Sequence, residues 1–183
     1  MKKFIVKRFN ELSLNELYMI LRMRSQVFIV EQDCVYQDID NLDQDAIHVW
    51  MTANDKVVAY CRVLKANTYL DEIAVGRVIT LERGKGYGLE IFRKGVEIAQ
   101  KELGAVRIKI RAQQQAEKFY EKADFHRIAE PFMYEGLMHV DMIWTKPSEY
   151  EQYCRQQEKL SEMLDDDGRC FPEMAEGQFV RGH

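Results

Sequence analysis

Arg83-Gly84-Lys85-Gly86-Tyr87-Gly88 stands between two contrasting stretches of the chain. Before it, Ile73-Ala74-Val75-Gly76-Arg77-Val78-Ile79 is β-rich; after it, Leu89, Phe92, Val96, Ala99 and Leu103 recur three and four residues apart, one face of a helix. Three glycines in six residues let a backbone turn tightly and come close to a ligand. A helix starting there points its free N–H groups and the positive end of its dipole into the turn. The combination is an anion site, and a diphosphate is the natural anion.

Three kinds of loop compete for this text. A nucleotide P-loop needs G-x-x-x-x-G-K-[ST], and neither Gly-Lys-Ser nor Gly-Lys-Thr occurs, which removes a kinase-like nucleotide reading. A dinucleotide turn needs G-x-G-x-x-G; Gly84 and Gly86 fit, but the third glycine, Gly88, falls one place early. The third is R-x-x-G-x-G, the turn that cradles the diphosphate of coenzyme A, and Arg83, Gly86 and Gly88 fit it without adjustment.

At these residues the chain resembles the GCN5-related N-acetyltransferase (GNAT) superfamily. Further on, Ala116-Glu117-Lys118-Phe119-Tyr120-Glu121-Lys122-Ala123-Asp124-Phe125 is similar to the superfamily's A-x-x-F-Y-x-K-x-G-F segment, with Asp124 where glycine is usual. Upstream, the run Leu21 to Gln32, followed by Cys34, Tyr36, Asp38, Asp40, Asp43 and His48, resembles the ElaA-like subfamily. So do Gly76-Arg77-Val78 before the turn and His139-Val140-Asp141-Met142 near the end. The resemblance covers roughly residues 3 to 145.

The resemblance implies an α/β fold, a mixed central sheet with one splayed strand and helices on both faces. It also implies acetyl-CoA as cofactor. Backbone N–H groups near Val78 and Thr80 would bind pantetheine; those of Gly84, Lys85, Gly86, Tyr87 and Gly88, with the charge of Arg83 or Lys85, would take the diphosphate. Tyr120 is the implied general acid for the leaving thiolate, against the bland reading that Phe119 and Tyr120 simply pack. Glu72 is the implied general base, because a catalytic glutamate of the histone-acetyltransferase branch stands at the same separation from the cofactor motif; its bland reading is a strand-end salt bridge. Glu31 is the rival carboxylate. His139 is a third titratable candidate, for substrate binding or proton transfer, since histidine changes charge near neutral pH. Arg77 could reach a substrate or fix the strand.

The run Asp38 to His48 opens like a calcium loop but lacks the spaced glycine and terminal glutamate, so no metal is expected. It reads either as a loop whose negative charge draws a cationic amine to the acceptor cleft, or as a solvated acidic loop.

The elements that must position these groups follow from periodicity. A strand is expected at Lys3–Phe9 and a helix from a Ser13 or Asn15 cap to about Val30. Strands follow at 47–53 and 57–65 around Asn54-Asp55, then a strand at 72–80 and a helix at 87–103 ending at Gly104. A half-buried strand at 106–110, a helix at 113–122 and strands near 125–130 and 138–145 complete the sheet. A further helix is expected at 148–164. The domain division is thus 1–145 for the acetyltransferase fold and 146–183 for an acidic helix and tail, either loose or an arm docking on a partner subunit in a homodimer.

The chain has 183 residues and a net charge of −4. Residues 146–183 carry nine acids and five bases, and the remainder is balanced at 21 of each. No basic face of the kind nucleic acid requires is present, and no apolar run approaches membrane-spanning length. Cys34, Cys61, Cys154 and Cys170 are scattered without a C-x-x-C. That pattern indicates neither a disulfide framework nor a zinc site, and with no signal peptide evident a reducing cytoplasm is expected. The expected function is transfer of acetyl from acetyl-CoA to a primary amine of a small molecule or peptide, by direct attack in a ternary complex. The alternative is an acyl-CoA-binding module without turnover.

Overall fold

The structure, a computed structural model, describes residues 1–33, 36–148 and 151. The chain divides into two units, Met1–Thr145 and Lys146–His183, and the first is described below. The expected helix at 148–164, apart from residues 148 and 151, and the tail beyond it lie outside the described residues.

One eight-stranded sheet organises this unit. In chain order its elements are β1 (Lys2–Arg8), α1 (Leu14–Arg24), β2 (Ile47–Ala53), β3 (Lys56–Leu64), β4 (Ile73–Thr80), α2 (Tyr87–Leu103), β5 (Arg107–Gln113), α3 (Glu117–Glu121), β6 (His126–Arg127), β7 (Phe132–Tyr134) and β8 (Leu137–Thr145). The strands run in the order β1-β2-β3-β4-β5-β8-β6, with β7 paired to β8. All neighbours are antiparallel except β4 and β5. The mixed sheet expected from the sequence is present.

Strand alternation sends apolar side chains to both faces. Val49 and Met51 of β2 and Ala59, Cys61 and Val63 of β3 join Ile91, Phe92 and Ala99 of α2 in one core. Trp50, Tyr60 and Ile79 point the other way, to Ile20 and Met23 of α1 and to Val27 and Phe28 just beyond it. Helix α2 lies close to the sheet because position 95 is glycine. A Cβ there would stand 2.8 Å from Cys61 Sγ and 2.9 Å from Val75 Cγ1, nearer than such atoms pack.

Helix α1 starts at a Ser13 cap that forms a reciprocal capping box with Glu16. Beyond Arg24 the chain does not continue as the expected α-helix to Val30. It widens into a π-helical segment, Ser25–Glu31, of the kind that often marks functional sites.

Two features of β4 open the sheet. Its parallel pairing with β5 covers only Ile73↔Ile108 and Ala74↔Lys109, after which the strands part. On its other edge the register with β3 jumps from Tyr60↔Ile79 to Arg62↔Gly76, so Arg77 and Val78 together face Cys61. That two-against-one count is a β-bulge.

Candidate active site

A cavity of about 370 Å³ lies where β4 and β5 part. Val75, Gly76, Arg77 and Val78 of β4 form one wall, and Ile110, Arg111, Ala112 and Gln113 of β5 the other. Phe28, Tyr36, Asp40 and Leu42 close it on the α1 side, and Tyr120, Tyr134, Glu135 and His139 on the β7–β8 side.

The glycine turn lies at the end of β4. Gly84 and Gly86 adopt φ of +75° and +77°, conformations natural to glycine and strained for other residues. A Cβ at Gly84 would meet nothing within 4 Å, so conformation rather than space demands glycine there. No side chain caps the N-terminus of α2 at Gly86, in contrast to the Ser13 box of α1. The 17-residue helix therefore presents uncapped N–H groups to the turn. Arg83 is 70% exposed, and its Nη2 lies 2.9 Å from Glu31 Oε2. Thr80 spends its hydroxyl on the carbonyls of Val58 and Glu82, at 3.2 and 3.0 Å.

Tyr120 and His139 line the same cavity. Tyr120 is held edge-on against Phe92 and Phe119, with centroids 4.8 and 4.9 Å away. Burial, with Cys61 nearby, pushes its phenol above the usual range, so it stays protonated and can donate. The Nδ1 of His139 lies 2.9 Å from the Leu137 carbonyl. A carbonyl only accepts, so Nδ1 carries a proton, and in the neutral form of the ring Nε2 is then the acceptor. Tyr134 meets the His139 ring edge-on at 5.5 Å.

The other two predicted carboxylates are not brought into the cavity. Glu72 pairs with Arg107 at 3.2 Å, and Glu31 with Arg83; neither is a lining residue. A carboxylate that does line the cavity is Glu135, which sequence reading missed. It occupies the tip of the β7–β8 hairpin at φ +48°, followed by Gly136 at +79°, the geometry of a tight hairpin turn that normally takes Asn-Gly. Glu-Gly departs from that preference, so the sequence alone carried little signal of the turn.

The acidic loop does border the cavity, but three of its carboxylates are engaged within the protein rather than left for solvent or an amine. Asp38, Asp40 and Asp43 are matched by three arginines, Arg24, Arg62 and Arg77. Arg24, 0% exposed, sends Nε to Asp38 at 3.0 Å and Nη1 to Asp43 at 2.6 Å. Arg62 reaches Asp40 at 2.6 Å and Asp43 at 2.8 Å. Arg77 reaches Asp40 at 3.0 Å; its Nε stands 2.8 Å from Asp38 Oδ1, an ion pair without the alignment of a hydrogen bond. Burial raises the Asp40 carboxyl, but the bonds and charge of Arg62, with the charge of Arg77, outweigh it and hold Asp40 at about 2. Asp43 moves down for the same reason, through Arg24 and Arg62. Beneath them His48 is sealed from solvent, and burial lowers its pKa. Its Nε2–H donates to the Asp43 carbonyl at 3.0 Å, and its Nδ1 accepts from the Tyr60 hydroxyl at 2.8 Å.

Arg77 itself has φ +52°, a left-handed conformation inside a strand, which costs roughly 1–3 kcal/mol and persists only if its surroundings hold it. Its guanidinium also lies 5.9 and 5.6 Å from the ring centroids of Phe28 and Tyr36.

Residues 12–146 match the acetyltransferase (GNAT) domain family. Protein ElaA of Escherichia coli is 36% identical over 137 residues, which span 73% of this chain and 90% of that protein. The crystal structure of E. coli ElaA superposes with a TM-score of 0.71 at 33% identity, covering 78% of this chain and 99% of that one. An acyl-CoA N-acyltransferase from Pseudomonas aeruginosa superposes at 0.70 with 26% identity, covering 77% and 98%.

Proposed function

The chain belongs to the GNAT acetyltransferase family, and on that premise we propose that it transfers an acetyl group from acetyl-CoA to the primary amine of a cationic small molecule or peptide. The observation that carries this reading is the cavity between the parted strands, lined by both Tyr120 and His139 and lying along β4, which ends at the glycine turn.

The residues present fit coenzyme A. Left-handed Gly84 and Gly86 curve the chain around the uncapped end of α2, which suits a diphosphate, and exposed Arg83 can leave Glu31 to add its charge. The parted strands would receive the pantetheine arm along Val75 to Val78. Bound there, acetyl-CoA supplies an acyl group activated as a thioester.

The side chains would then share the work. The Nε2 of His139 would accept the proton that the amine sheds as its nitrogen bonds to the acyl carbon. Backbone N–H groups at the bulge, around Val78, would stabilise the negative charge that develops on the acyl oxygen. Tyr120, kept protonated by burial, would give its proton to the sulfur as the carbon–sulfur bond breaks. Glu135 would attract the ammonium form of the acceptor, which loses one proton to water before its nitrogen attacks. Among the described residues no ion pair engages Glu135, whereas Asp40, Arg77 and Arg111 are each paired within the protein.

A screen of primary amines with acetyl-CoA, read by thiol release and by product mass, tests this. Thiol release that depends on an amine, with the product heavier by one acetyl group, is expected. Acetyl-CoA binding with no amine acetylated would favour a binding module without turnover instead.

A further inference from the structure

Three arginines from three different elements converge on the loop that closes the cavity. Arg24 ends α1, Arg62 lies in β3 and Arg77 in β4. The first two are almost sealed, with side chains 0% and 3% exposed, while Arg77 is 19% exposed and lines the cavity. Arg77 is also the residue held left-handed at the bulge. The neighbouring position is glycine, Gly76, yet the positive φ falls on the arginine. A chain that wanted only the backbone shape would gain by having glycine at 77.

The side chain explains the choice. It engages Asp38 through Nε and through the Asp38 carbonyl at 3.3 Å, engages Asp40 at 3.0 Å, and lies beside both the Phe28 and Tyr36 rings. Those partners belong to the π-helical segment and the loop that follows it, and Phe28, Tyr36 and Asp40 all line the cavity.

We infer that Arg77 is a positioning residue, a clamp that fastens the loop over residues 36–43 and the Phe28 ring to the β4 bulge and so fixes the acceptor side of the cavity. The statement about the acceptor rests on the proposed acetyl transfer; the clamp itself does not. The planar fork of arginine is what reaches two carboxylates and lies beside both rings at once, which a lysine point charge does not reproduce. Asp38 and Asp40 are consequently partners of Arg77, and Asp43 of Arg24 and Arg62, not ligands for the incoming amine.

Arg77→Gly and Arg77→Lys test the clamp. Glycine keeps the bulge without strain and removes only the side chain. Hydrogen exchange over residues 36–43 is expected to speed up by about tenfold or more in Arg77→Gly, and less in Arg77→Lys. KM for the best amine of the screen is expected to rise about tenfold and to rise more than the acetyl-CoA Kd, because Arg77 also stands in the β4 wall that would receive pantetheine. Unchanged exchange over 36–43, or an acetyl-CoA Kd that weakens as much as the amine KM, overturns the inference. Exchange needs no acceptor, so it decides the clamp even if the wild-type chain proves not to bind acetyl-CoA, which would defeat the functional reading alone. If Arg77→Gly does not fold, Asp40→Asn leaves the β4 backbone alone and should give the same faster exchange; unchanged exchange there overturns the clamp as well.

Discussion

The Nε of Arg107 lies 3.2 Å from Oε1 of Glu72, and that pair stands outside the cavity that holds Tyr120 and His139. Glu72 immediately precedes β4, at the end where β4 and β5 are still paired through Ile73 and Ile108. The cavity begins further along, at Val75. Glu72→Gln is therefore expected to leave kcat and its pH profile within about twofold and to lower stability by no more than about 1 kcal/mol, the scale of an exposed pair. His139→Gln should lower kcat roughly a hundredfold. Steady-state rates check both; a loss of kcat in Glu72→Gln that His139→Gln does not show would reverse the assignment.

Tyr120→Phe keeps the ring against Phe92 and Phe119 and removes only the proton donor. We expect kcat to fall roughly a hundredfold with acetyl-CoA affinity unchanged. Burial raises the phenol pKa, so deprotonation should contribute no alkaline limb in the range where amines are assayed. Comparing the alkaline side of the two profiles tests this, since an alkaline limb abolished in Tyr120→Phe would mean the phenol titrates there.

Gly86 and Gly88 differ in what a methyl group would do. At Gly86 the conformation, φ +77°, opposes any side chain, and the uncapped N–H groups of α2 would be turned away. Gly86→Ala should weaken acetyl-CoA binding by about tenfold to a hundredfold, the worth of one hydrogen bond to a charged group. At Gly88 the nearest atom to an added Cβ is a Phe119 carbon at 3.5 Å, an ordinary contact, so Gly88→Ala should cost less. Calorimetric titration of both variants gives the order; equal losses would remove the conformational argument.

The buried ion network sets the acid stability. Asp40 and Asp43 have depressed pKa values in the fold, so the stability they add is full above the unfolded range near 4 and is lost as pH falls below it, for Asp40 toward about 2. For Asp40 this amounts to on the order of 2 kcal/mol. His48 is held neutral, and its lowered pKa makes the unfolded chain bind the proton first, so a further loss begins as pH falls below about 6.5. Urea denaturation from pH 8 down to 3 should show constant stability above neutrality and two successive declines. Asp43→Asn, which leaves Arg24 and Arg62 under-compensated, should cost roughly 3 kcal/mol at pH 7. A flat profile would mean that the network is energetically silent.

Local chemistry made much of this legible. The glycine turn, the amphipathic face of α2 and its Gly104 stop are short-range signals, and the expected bounds 87–103 coincide with those observed. The Asn54-Asp55 turn is likewise local, both residues being left-handed. What could not be read depends on contacts distant in sequence. The acidic loop pairs with arginines up to 39 residues away, so its charges looked free. The β4 bulge is a register event between two strands, invisible in either alone. Strand β7 is only three residues long and turns on Glu135-Gly136, too short and too unlike Asn-Gly to stand out, so Glu135 went unnoticed. The expected helix at 113–122 is shortened to α3 because β5 runs on to Gln113 and a single 3₁₀ turn, Gln114–Ala116, intervenes.

The most direct test of the central claim is calorimetric titration of the purified chain with acetyl-CoA, ATP and NADH separately. The account predicts binding of acetyl-CoA at micromolar concentrations and none of the other two. No heat with acetyl-CoA, or tighter binding of NADH, would contradict the reading of the glycine turn and every catalytic role built upon it.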